Sequence, residues 1–384
     1  MFDDTLFEEV IKIRRDIHQN PETGFDVERT ASIAADTLDA MGLTVKRKVG
    51  RTGVVCDLEI PGAKRRVALR ADMDALPIQE ERDSSYKSKI DEKAHLCGHD
   101  AHTAMLIGTA KFLKQHKNKL ASNVRFIFQP SEELQPGGAP GMIEDGCLEG
   151  VDEIYALHVW PWLDTGTVGI CHGPTMAQAD SFEITIQGRG GHAAAPHQNI
   201  DPIVIGSHLV TMLQTIISRY VKPLDPAVLS VTTFHSGSAF NVIPSQAKLT
   251  GTVRTYSTET QKTIRKKMEE IIKEVTKSFG AAFEFLYDEG YPPVINHAES
   301  CDAVKKASSS FLENSQVIYP AERAMFGEDF AYYLQKVPGC FIQLGCRNEE
   351  KECIHPLHHP CFNLDEECMK VGIRLLSSLA LTPF

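Results

Sequence analysis

The sequence lacks several features that mark specialised classes of protein. Lys and Arg number 40 against 51 Asp and Glu, so the formal net charge is −11, and no basic cluster stands out. This balance argues against a nucleic-acid partner. No apolar run approaches the roughly eighteen residues of a membrane span. The first five residues, MFDDT, also lack the basic-then-apolar pattern of a signal peptide.

Cysteine is present but not in the dense spacing of a secreted disulfide scaffold. The ten cysteines are scattered along 384 residues, so we expect mostly reduced, buried thiols and a cytoplasmic protein. Internal repeats and low-complexity segments are lacking too. With 42% hydrophobic and 24% charged residues, the chain has the composition of a globular protein long enough for two domains.

Most of the chain alternates between helical and strand patterns, which predicts an α/β domain with a largely parallel sheet. The predicted helices are 6–19, 27–41 and 101–115, and the predicted buried strands are 53–60, 66–70, 124–129, 154–159 and 341–345.

The segment 180–288 has a different pattern. Its predicted elements are strand 181–187, helix 202–220, strands 227–234 and 247–255, helix 258–279 and strand 282–287. This β-α-β-β-α-β order predicts a ferredoxin-like α+β domain. We therefore expect it to be inserted into a catalytic domain formed by 1–179 plus 289–384.

Side chains suited to metal binding follow several predicted strands. Since ligands bind at the carboxyl ends of strands in open α/β sheets, these side chains are expected to meet. Asp72 and Asp74 follow strand 66–70, Glu132 and Glu133 follow 124–129, His158 lies at the end of its strand, and His358 follows 341–345.

Cys97 and His99 place a thiolate and an imidazole on one loop before a helix. This donor mixture suits Zn²⁺ or another first-row ion. Taken alone, the pair also fits a buried thiol beside a hydrogen-bonded histidine. Asp100 next to it fits a helix cap.

The adjacent Glu132 and Glu133 point in different directions on an extended backbone, so one can bind a metal while the other faces a water. A carboxylate in that second position can act as a general base and then as a general acid. The alternative is a solvated acidic turn before Pro136.

Other candidates depend on their context. His158 lies in an apolar segment that would also suit a core histidine, and His355, His358 and His359 compete for one role. In the inserted domain, candidates for substrate contact are His192 in a glycine-rich loop, Arg254 on a strand and Asn241. Alternatively, His192 is an exposed histidine in a turn, Arg254 forms a surface ion pair, and Asn241 only shapes a turn.

Together these segments resemble the amidohydrolase branch of the aminoacylase/carboxypeptidase zinc metallopeptidase family. That branch includes hippurate hydrolases, N-acyl-amino-acid amidohydrolases and auxin-conjugate hydrolases. The motifs that carry the resemblance are RRDIH at 14–18, LRADMDALP at 69–77, CGHD at 97–100, QPSEE at 129–133, LH at 157–158, GGH at 190–192, GEDF at 327–330 and HHPCF at 358–362. The segment 134–139 departs from the glycine-rich form common in the branch and looks more like that of carboxypeptidase-type members.

The resemblance implies a centre of two divalent metal ions, Zn or Mn with Co or Ni possible. Its ligands would be Cys97 as the bridge, His99, Glu133, His158 and His358. It further implies Glu132 as general base, His192 as oxyanion donor, Arg254 and Asn241 as substrate contacts, and an inserted lid that forms a homodimer.

We therefore expect metal-dependent hydrolysis of the amide bond of N-acyl amino acids. The alternatives are a carboxypeptidase or dipeptidase acting on short peptides, or an N-acetyl-diaminopimelate deacetylase. A rival from another class is a non-catalytic metal or thiol protein in which an exposed, low-pKa Cys97 senses redox state.

Overall fold

The computed structural model describes residues 4–381, which divide into two compact units. Unit 1 comprises the chain up to Thr175, Ile295–Arg323 and the chain from Asp329 onward. Unit 2 comprises Met176–Val294 and the short segment Ala324–Glu328. The sequence pattern did not single out that short segment.

The strands, in chain order, are β1 Thr44–Val49, β2 Gly53–Leu58, β3 Arg66–Asp72, β4 Asn123–Gln129, β5 Glu153–Asp164, β6 Val168–Gly169, β7 Gly173–Met176, β8 Gln178–Gln187, β9 Gly191–His192, β10 Ala227–Ser236, β11 Val242–Ile243, β12 Gln246–Thr255, β13 Ala282–Asp288, β14 Val294–Asn296, β15 Val317–Ile318 and β16 Gly339–Arg347. The α-helices are α1 Asp4–Gln19, α2 Glu28–Ala40, α3 His99–Gln115, α4 Ala139–Glu144, α5 Pro202–Tyr220, α6 Thr258–Ser278, α7 Ala298–Ser309, α8 Ala331–Leu334 and α9 Cys368–Leu381.

Unit 1 is built on an eight-stranded sheet of order β1-β2-β4-β3-β5-β16-β6-β15. Its central strands β4, β3, β5 and β16 are parallel, whereas β1 and β2 are antiparallel additions at one edge. The central strands are almost entirely buried, as expected for a parallel sheet. The predicted α/β fold with a mostly parallel sheet is therefore confirmed.

The helices of unit 1 bury the faces that their sequences make apolar. In α1 the buried positions Leu6, Val10 and Ile17 recur at helical spacing. Helix α3 is buried along nearly its whole length and contains several small residues, which allows other helices to approach it closely. Its packing against α1, α9 and the sheet puts the first turn of α3 in the core of unit 1.

Unit 2 contains a four-stranded antiparallel sheet of order β10-β12-β8-β13. Helices α5 and α6 pack together and against this sheet, with a core that includes Ile184, Leu209 and Ile272. The chain order is β8-α5-β10-β12-α6-β13, the β-α-β-β-α-β order that the sequence predicts. Asp201 and Ser257 cap the two helices by accepting hydrogen bonds from backbone amides.

One strand prediction was too short. Strand β5 continues five residues past the predicted end at residue 159, because its parallel ladder with β16 extends as far as the pair Asp164 and Arg347. His158 consequently lies inside a strand, opposite Gln343 of β16. Among the helices of residues 4–381, none has the length and hydropathy that crossing a membrane requires.

Candidate active site

The Glu132–Glu133 turn lies at the carboxyl ends of β3 and β4. The parallel register pairs Asp72 with Gln129, so these strands end side by side. Asp74, two residues beyond β3, accepts hydrogen bonds from the backbone amides of Glu132 at 2.9 Å and Glu133 at 3.1 Å. Both glutamates are buried or nearly so, with 6% and 9% exposure. The alternative of a solvated acidic turn is wrong.

Gly98 shapes the loop that presents Cys97 and His99. Its φ of 90° lies in the left-handed region, and a Cβ there would come within 2.4 Å of Val159. Only glycine fits this backbone and this space. Helix α3 begins directly afterwards at His99, so the thiol precedes the helix and the imidazole lies in its first turn.

The structure brings six of the predicted side chains together in three overlapping sets of metal-donor atoms. Within each set the donor atoms lie within 4.8 Å of one another. The sets are Cys97, His99 and His158; Cys97, Glu133 and His358; and His99, Glu132 and Glu133. Cys97, His99 and Glu133 each belong to two of these sets.

Individual distances show how close these donors are. The Sγ of Cys97 lies 3.4 Å from Nε2 of His158. Oε1 of Glu133 lies 3.3 Å from Nε2 of His358. The backbone of His358 has a φ of 65°, unusual for a residue with a side chain, and its amide donates to the carbonyl of Leu96 at 2.8 Å. That hydrogen bond ties the His358 loop to the Cys97 loop.

The backbone orients two of the histidines. Nδ1 of His99 donates to the carbonyl of Asp74, and Nδ1 of His158 donates to the carbonyl of Val159, each at 2.8 Å. Each bond leaves the Nε2 lone pair available, which is how metal-binding histidines are commonly fixed. Nε2 of His99 is buried without a hydrogen-bond partner among residues 4–381. Such an atom fits a metal ligand.

The electrostatics of the site favour a bound cation. Burial by itself would lower the pKa of His99, but the carboxylates around it, led by Asp72, raise the pKa to about 10. Burial raises the pKa of the Cys97 thiol, and Glu133 and Glu132 raise it further. Without a metal, the concentrated negative charge thus favours added protons, and a divalent cation would replace them.

A second layer of buried charge lies behind this site, and the sequence did not predict it. Asp72 accepts from Nδ1 of His102 at 2.6 Å and from Arg70 at 2.7 Å. Arg70 also donates to Asp329 at 2.9 Å. His102 in turn accepts the amide of Val159 through Nε2. Arg70, Asp72 and Asp329 lie in motifs that carry the family resemblance, but the motifs do not reveal these contacts.

Asp100 does not cap α3, so that interpretation is wrong. Gly98 is the N-cap residue, and Asp100 is fully buried against Arg14 at 2.7 Å and His18 at 2.8 Å. Burial opposes ionisation of Asp100, but these two partners hold its pKa well below the usual range. This ion-pair cluster fixes the first turn of α3 to α1.

The structure distinguishes the three competing C-terminal histidines. His358 reaches the set with Cys97 and Glu133. His355 and His359 instead stack on each other, with ring centroids 4.3 Å apart. They form a separate set with Cys361.

The remaining three predicted residues lie in unit 2. His192 in β9 is exposed, and its Nδ1 accepts the amide of Ala194 at 3.0 Å. β9 pairs with β11, directly after Asn241, and the carbonyl of Asn241 accepts the amide of Ala193 at 3.1 Å. Arg254 is partly buried on β12, where its guanidinium donates to backbone carbonyls and to the Thr252 hydroxyl. Their substrate contacts remain predictions.

The redox-sensor reading of Cys97 requires an exposed thiol with a low pKa. Cys97 is only 7% exposed, and burial raises its pKa. The geometry therefore disfavours that rival. A buried thiolate beside imidazoles and carboxylates can instead bind a metal, with a further carboxylate close enough to handle protons.

Comparison with known proteins agrees with this arrangement. The model of "Peptidase family M20/M25/M40" matches residues 68–382. An N-acyl-L-amino acid amidohydrolase of Geobacillus stearothermophilus is 47% identical over 296 residues, covering 77% of this chain and 80% of that protein. Thermostable carboxypeptidase 2 of Saccharolobus solfataricus is 39% identical over 375 residues, covering 97% and 94%.

A solved structure extends the similarity to the whole fold. The crystal structure of Bacillus subtilis YxeP, described as a dinuclear metal binding peptidase from the M20 family, matches with a TM-score of 0.86. The identity is 35%, and the match covers 99% of this chain and 98% of that chain. The resemblance inferred from the sequence motifs is confirmed: the chain belongs to peptidase family M20/M25/M40.

Proposed function

We propose that this amide hydrolase binds two divalent metal ions in unit 1. The observation that carries the proposal is the overlap of the donor sets, in which Cys97, His99 and Glu133 are each shared by two sets. Of these three, His99 has only one nitrogen left for a metal, and we propose the Cys97 thiolate as the bridging ligand, as the family resemblance implies. His99 and His158 would bind on one side of it, and Glu133 and His358 on the other.

When bound, two such ions supply the Lewis acidity that activates a water and polarises an amide carbonyl. The protein's own contribution is proton handling by Glu132. Its backbone amide is held by Asp74, and its carboxylate lies within 4.8 Å of the donor atoms of His99 and Glu133. From there it removes the proton of the attacking water and later delivers a proton to the leaving nitrogen.

His192 is the proposed donor to the developing oxyanion. The Ala194 amide occupies Nδ1, which places the proton of the neutral ring on Nε2. An exposed Nε2–H is a hydrogen-bond donor of the type needed. We propose that unit 2 acts as a lid that brings this donor to the substrate.

The substrate class proposed is the N-acyl amino acid. Arg254 would recognise the carboxylate of the amino-acid part, because a guanidinium binds a carboxylate through two parallel hydrogen bonds. Asn241, held near His192 through the β9–β11 pair, would contact the reacting carbonyl. The relative named N-acyl-L-amino acid amidohydrolase supports this class.

Carboxypeptidase action on short peptides is the second candidate. The relative named thermostable carboxypeptidase 2 matches almost the entire chain. The two activities share the carboxylate on the released amino acid, so Arg254 would serve both. They differ in whether the acyl part is a simple acid or a peptide. Dipeptidase action and deacetylation of N-acetyl-diaminopimelate remain further members of the same reaction class.

Three finer assignments accompany the proposal. Zn²⁺ or Mn²⁺ is the proposed metal, with Co²⁺ or Ni²⁺ as substitutes, since a thiolate, imidazole and carboxylate set accepts several first-row ions. A homodimer through unit 2 follows from the family resemblance. A cytoplasmic location suits the ten cysteines, none of which forms a disulfide in the structure.

The direct test is an assay of metal-stripped protein reloaded separately with Zn²⁺, Mn²⁺ or Co²⁺. N-acetyl, N-benzoyl and peptidyl amino acids would serve as substrates, and amine release would be followed. Metal-dependent release from the acylated amino acids supports the main proposal. Release from the peptides alone would favour the carboxypeptidase. No release with any metal, despite two bound ions, would contradict the function proposed.

A further inference from the structure

A second group of metal-donor side chains lies on the loop that carries His358. The ligand atoms of His355, His359 and Cys361 lie within 4.8 Å of one another, and all three residues are partly exposed. We call these three residues the loop site. They share no residue with the three sets described for the candidate active site.

Cys361 differs from every other cysteine of the chain. All ten cysteines lie within the described residues; nine of them are buried, whereas Cys361 is accessible in part. A partly exposed thiol beside two imidazoles is available to an ion from solvent. The buried thiols of the core are not.

Backbone hydrogen bonds fix the loop in place. The amide of Phe362 donates to the carbonyl of His359 at 2.8 Å, and the amide of Glu81 donates to the carbonyl of Pro360 at 2.9 Å. Pro356 and Pro360 restrict the chain further. The three donors are thus close together before any ion arrives, which lowers the ordering cost of binding.

We propose that the loop site binds a third metal ion, of the class that accepts thiolate and imidazole together, such as Zn²⁺ or Co²⁺. Mg²⁺, Ca²⁺ and Mn²⁺ favour oxygen ligands, and the loop site would discriminate against them. Three protein donors leave a fourth position for water. Fewer donors and greater exposure make this site weaker than the proposed dinuclear centre.

Binding requires a local adjustment. The rings of His355 and His359 are nearly parallel, at 8°, so one must rotate for both lone pairs to reach the same ion. Nδ1 of His359 accepts the Cys361 amide at 3.0 Å, and this bond is lost if that nitrogen binds the metal. The residues concerned are partly exposed, so water can replace the lost bond.

The position of the loop site links its occupancy to the proposed dinuclear centre. His358 is adjacent in sequence to His359, and its side chain lies 3.3 Å from Glu133. An ion bound by His355, His359 and Cys361 would restrain the backbone on both sides of His358, a proposed ligand of the dinuclear centre. The loop site would thereby act on a ligand of the centre without itself contacting substrate.

The test is the metal stoichiometry of the full chain, measured by equilibrium dialysis with Zn²⁺ and separately with Mn²⁺. The wild-type protein should bind three Zn²⁺ but only two Mn²⁺. His355→Gln and Cys361→Ser should each weaken the third Zn²⁺ by at least about tenfold, because altering even an outer partner of a metal site costs that much. The matched control, His235→Gln, removes an exposed histidine in unit 2 and should still bind three.

A second measurement separates this proposal from the function of the dinuclear centre. In a Cys97→Ser/His158→Gln variant, the loop site should still bind one Co²⁺ with a thiolate-to-cobalt absorption band. Adding Cys361→Ser should abolish that band. Saturation of the wild type at two Zn²⁺, or a third ion that persists in both loop-site variants, would overturn the proposal whether or not the enzyme hydrolyses amides.

Discussion

The candidate residues of the two units differ in how they are held. In unit 1, His99 and His158 are buried and each is oriented by a backbone carbonyl at 2.8 Å. In unit 2, His192 is exposed, and a local amide two residues away contacts its ring. The difference teaches that the core preorganises His99 and His158, two of the proposed metal donors, whereas His192, the proposed oxyanion donor, lies on the surface of unit 2.

This preorganisation requires charged side chains to be buried. Asp72, Asp329 and Arg70 are all 2% exposed or less, and such groups are tolerated only when they are paired. Unit 2 also has a buried carboxylate, Asp180, which accepts from Tyr287 at 2.6 Å and from Gln261 at 2.9 Å. The side chains that donate hydrogen bonds to Asp180 are neutral, whereas Asp72 and Asp329 in unit 1 share the charged Arg70.

Replacing Cys97 should have the largest effect on metal content and hydrolysis. Cys97→Ala removes the proposed bridging donor, so we expect bound metal to fall below two ions per chain and hydrolysis to fall to background. Metal analysis and amine release would be measured on the same samples. Cys97→Asp, which supplies a carboxylate, should recover part of both. Full metal content and activity in Cys97→Ala would refute the bridging role.

Removing Arg70 should mainly affect folding stability. Arg70→Met leaves Asp72 and Asp329 buried without their common partner, which typically costs about 3–5 kcal/mol. Urea unfolding would measure the loss. Arg47→Met, which breaks an exposed pair with Asp36, should change stability by no more than about 1 kcal/mol. Equal effects of the two substitutions would show that the buried network does not stabilise unit 1.

Changing His192 should slow turnover without changing metal content. His192→Gln removes the proposed oxyanion donor, and losing one such donor typically lowers kcat by about 10²–10³-fold. The control is His197→Gln, an exposed histidine on the same segment. A decrease in kcat of less than about tenfold, or loss of metal, would assign His192 another role.

The smallest expected effect is at Arg254. Arg254→Lys keeps the charge but loses the paired geometry of a guanidinium, so KM should rise about tenfold while kcat changes little. Steady-state kinetics on an N-acyl amino acid would measure both constants. Arg189→Lys, on an exposed arginine of unit 2, should leave them unchanged. A fall in kcat with constant KM would argue against carboxylate recognition.

The features of unit 1 that could be predicted are those that local sequence patterns encode. Strands, adjacent glutamates and Cys97-x-His99 were visible as local patterns, so the sheet and the meeting of donors at strand ends were predictable. The choice of His358 over its neighbours depended on the family resemblance. The structure then brought it near Glu133.

Other features depend on long-range contacts that no local pattern encodes. Asp100 looked like a helix cap, yet its partners Arg14 and His18 lie more than eighty residues earlier in the chain. The pairing of Asp72 with His102 and the extension of β5 along β16 likewise require the folded sheet. The sequence shows which residue types lie near each strand end, but only the folded structure shows which side chains they contact.

The central claim is that two adjacent glutamates have different roles, Glu132 in proton transfer and Glu133 in metal binding. Comparison of Glu132→Gln with Glu133→Gln tests it most directly, with metal content and turnover measured on the same preparations. We predict that Glu132→Gln retains two ions and loses hydrolysis, whereas Glu133→Gln loses metal as well. Loss of metal from Glu132→Gln, or unchanged turnover in it, would contradict the account.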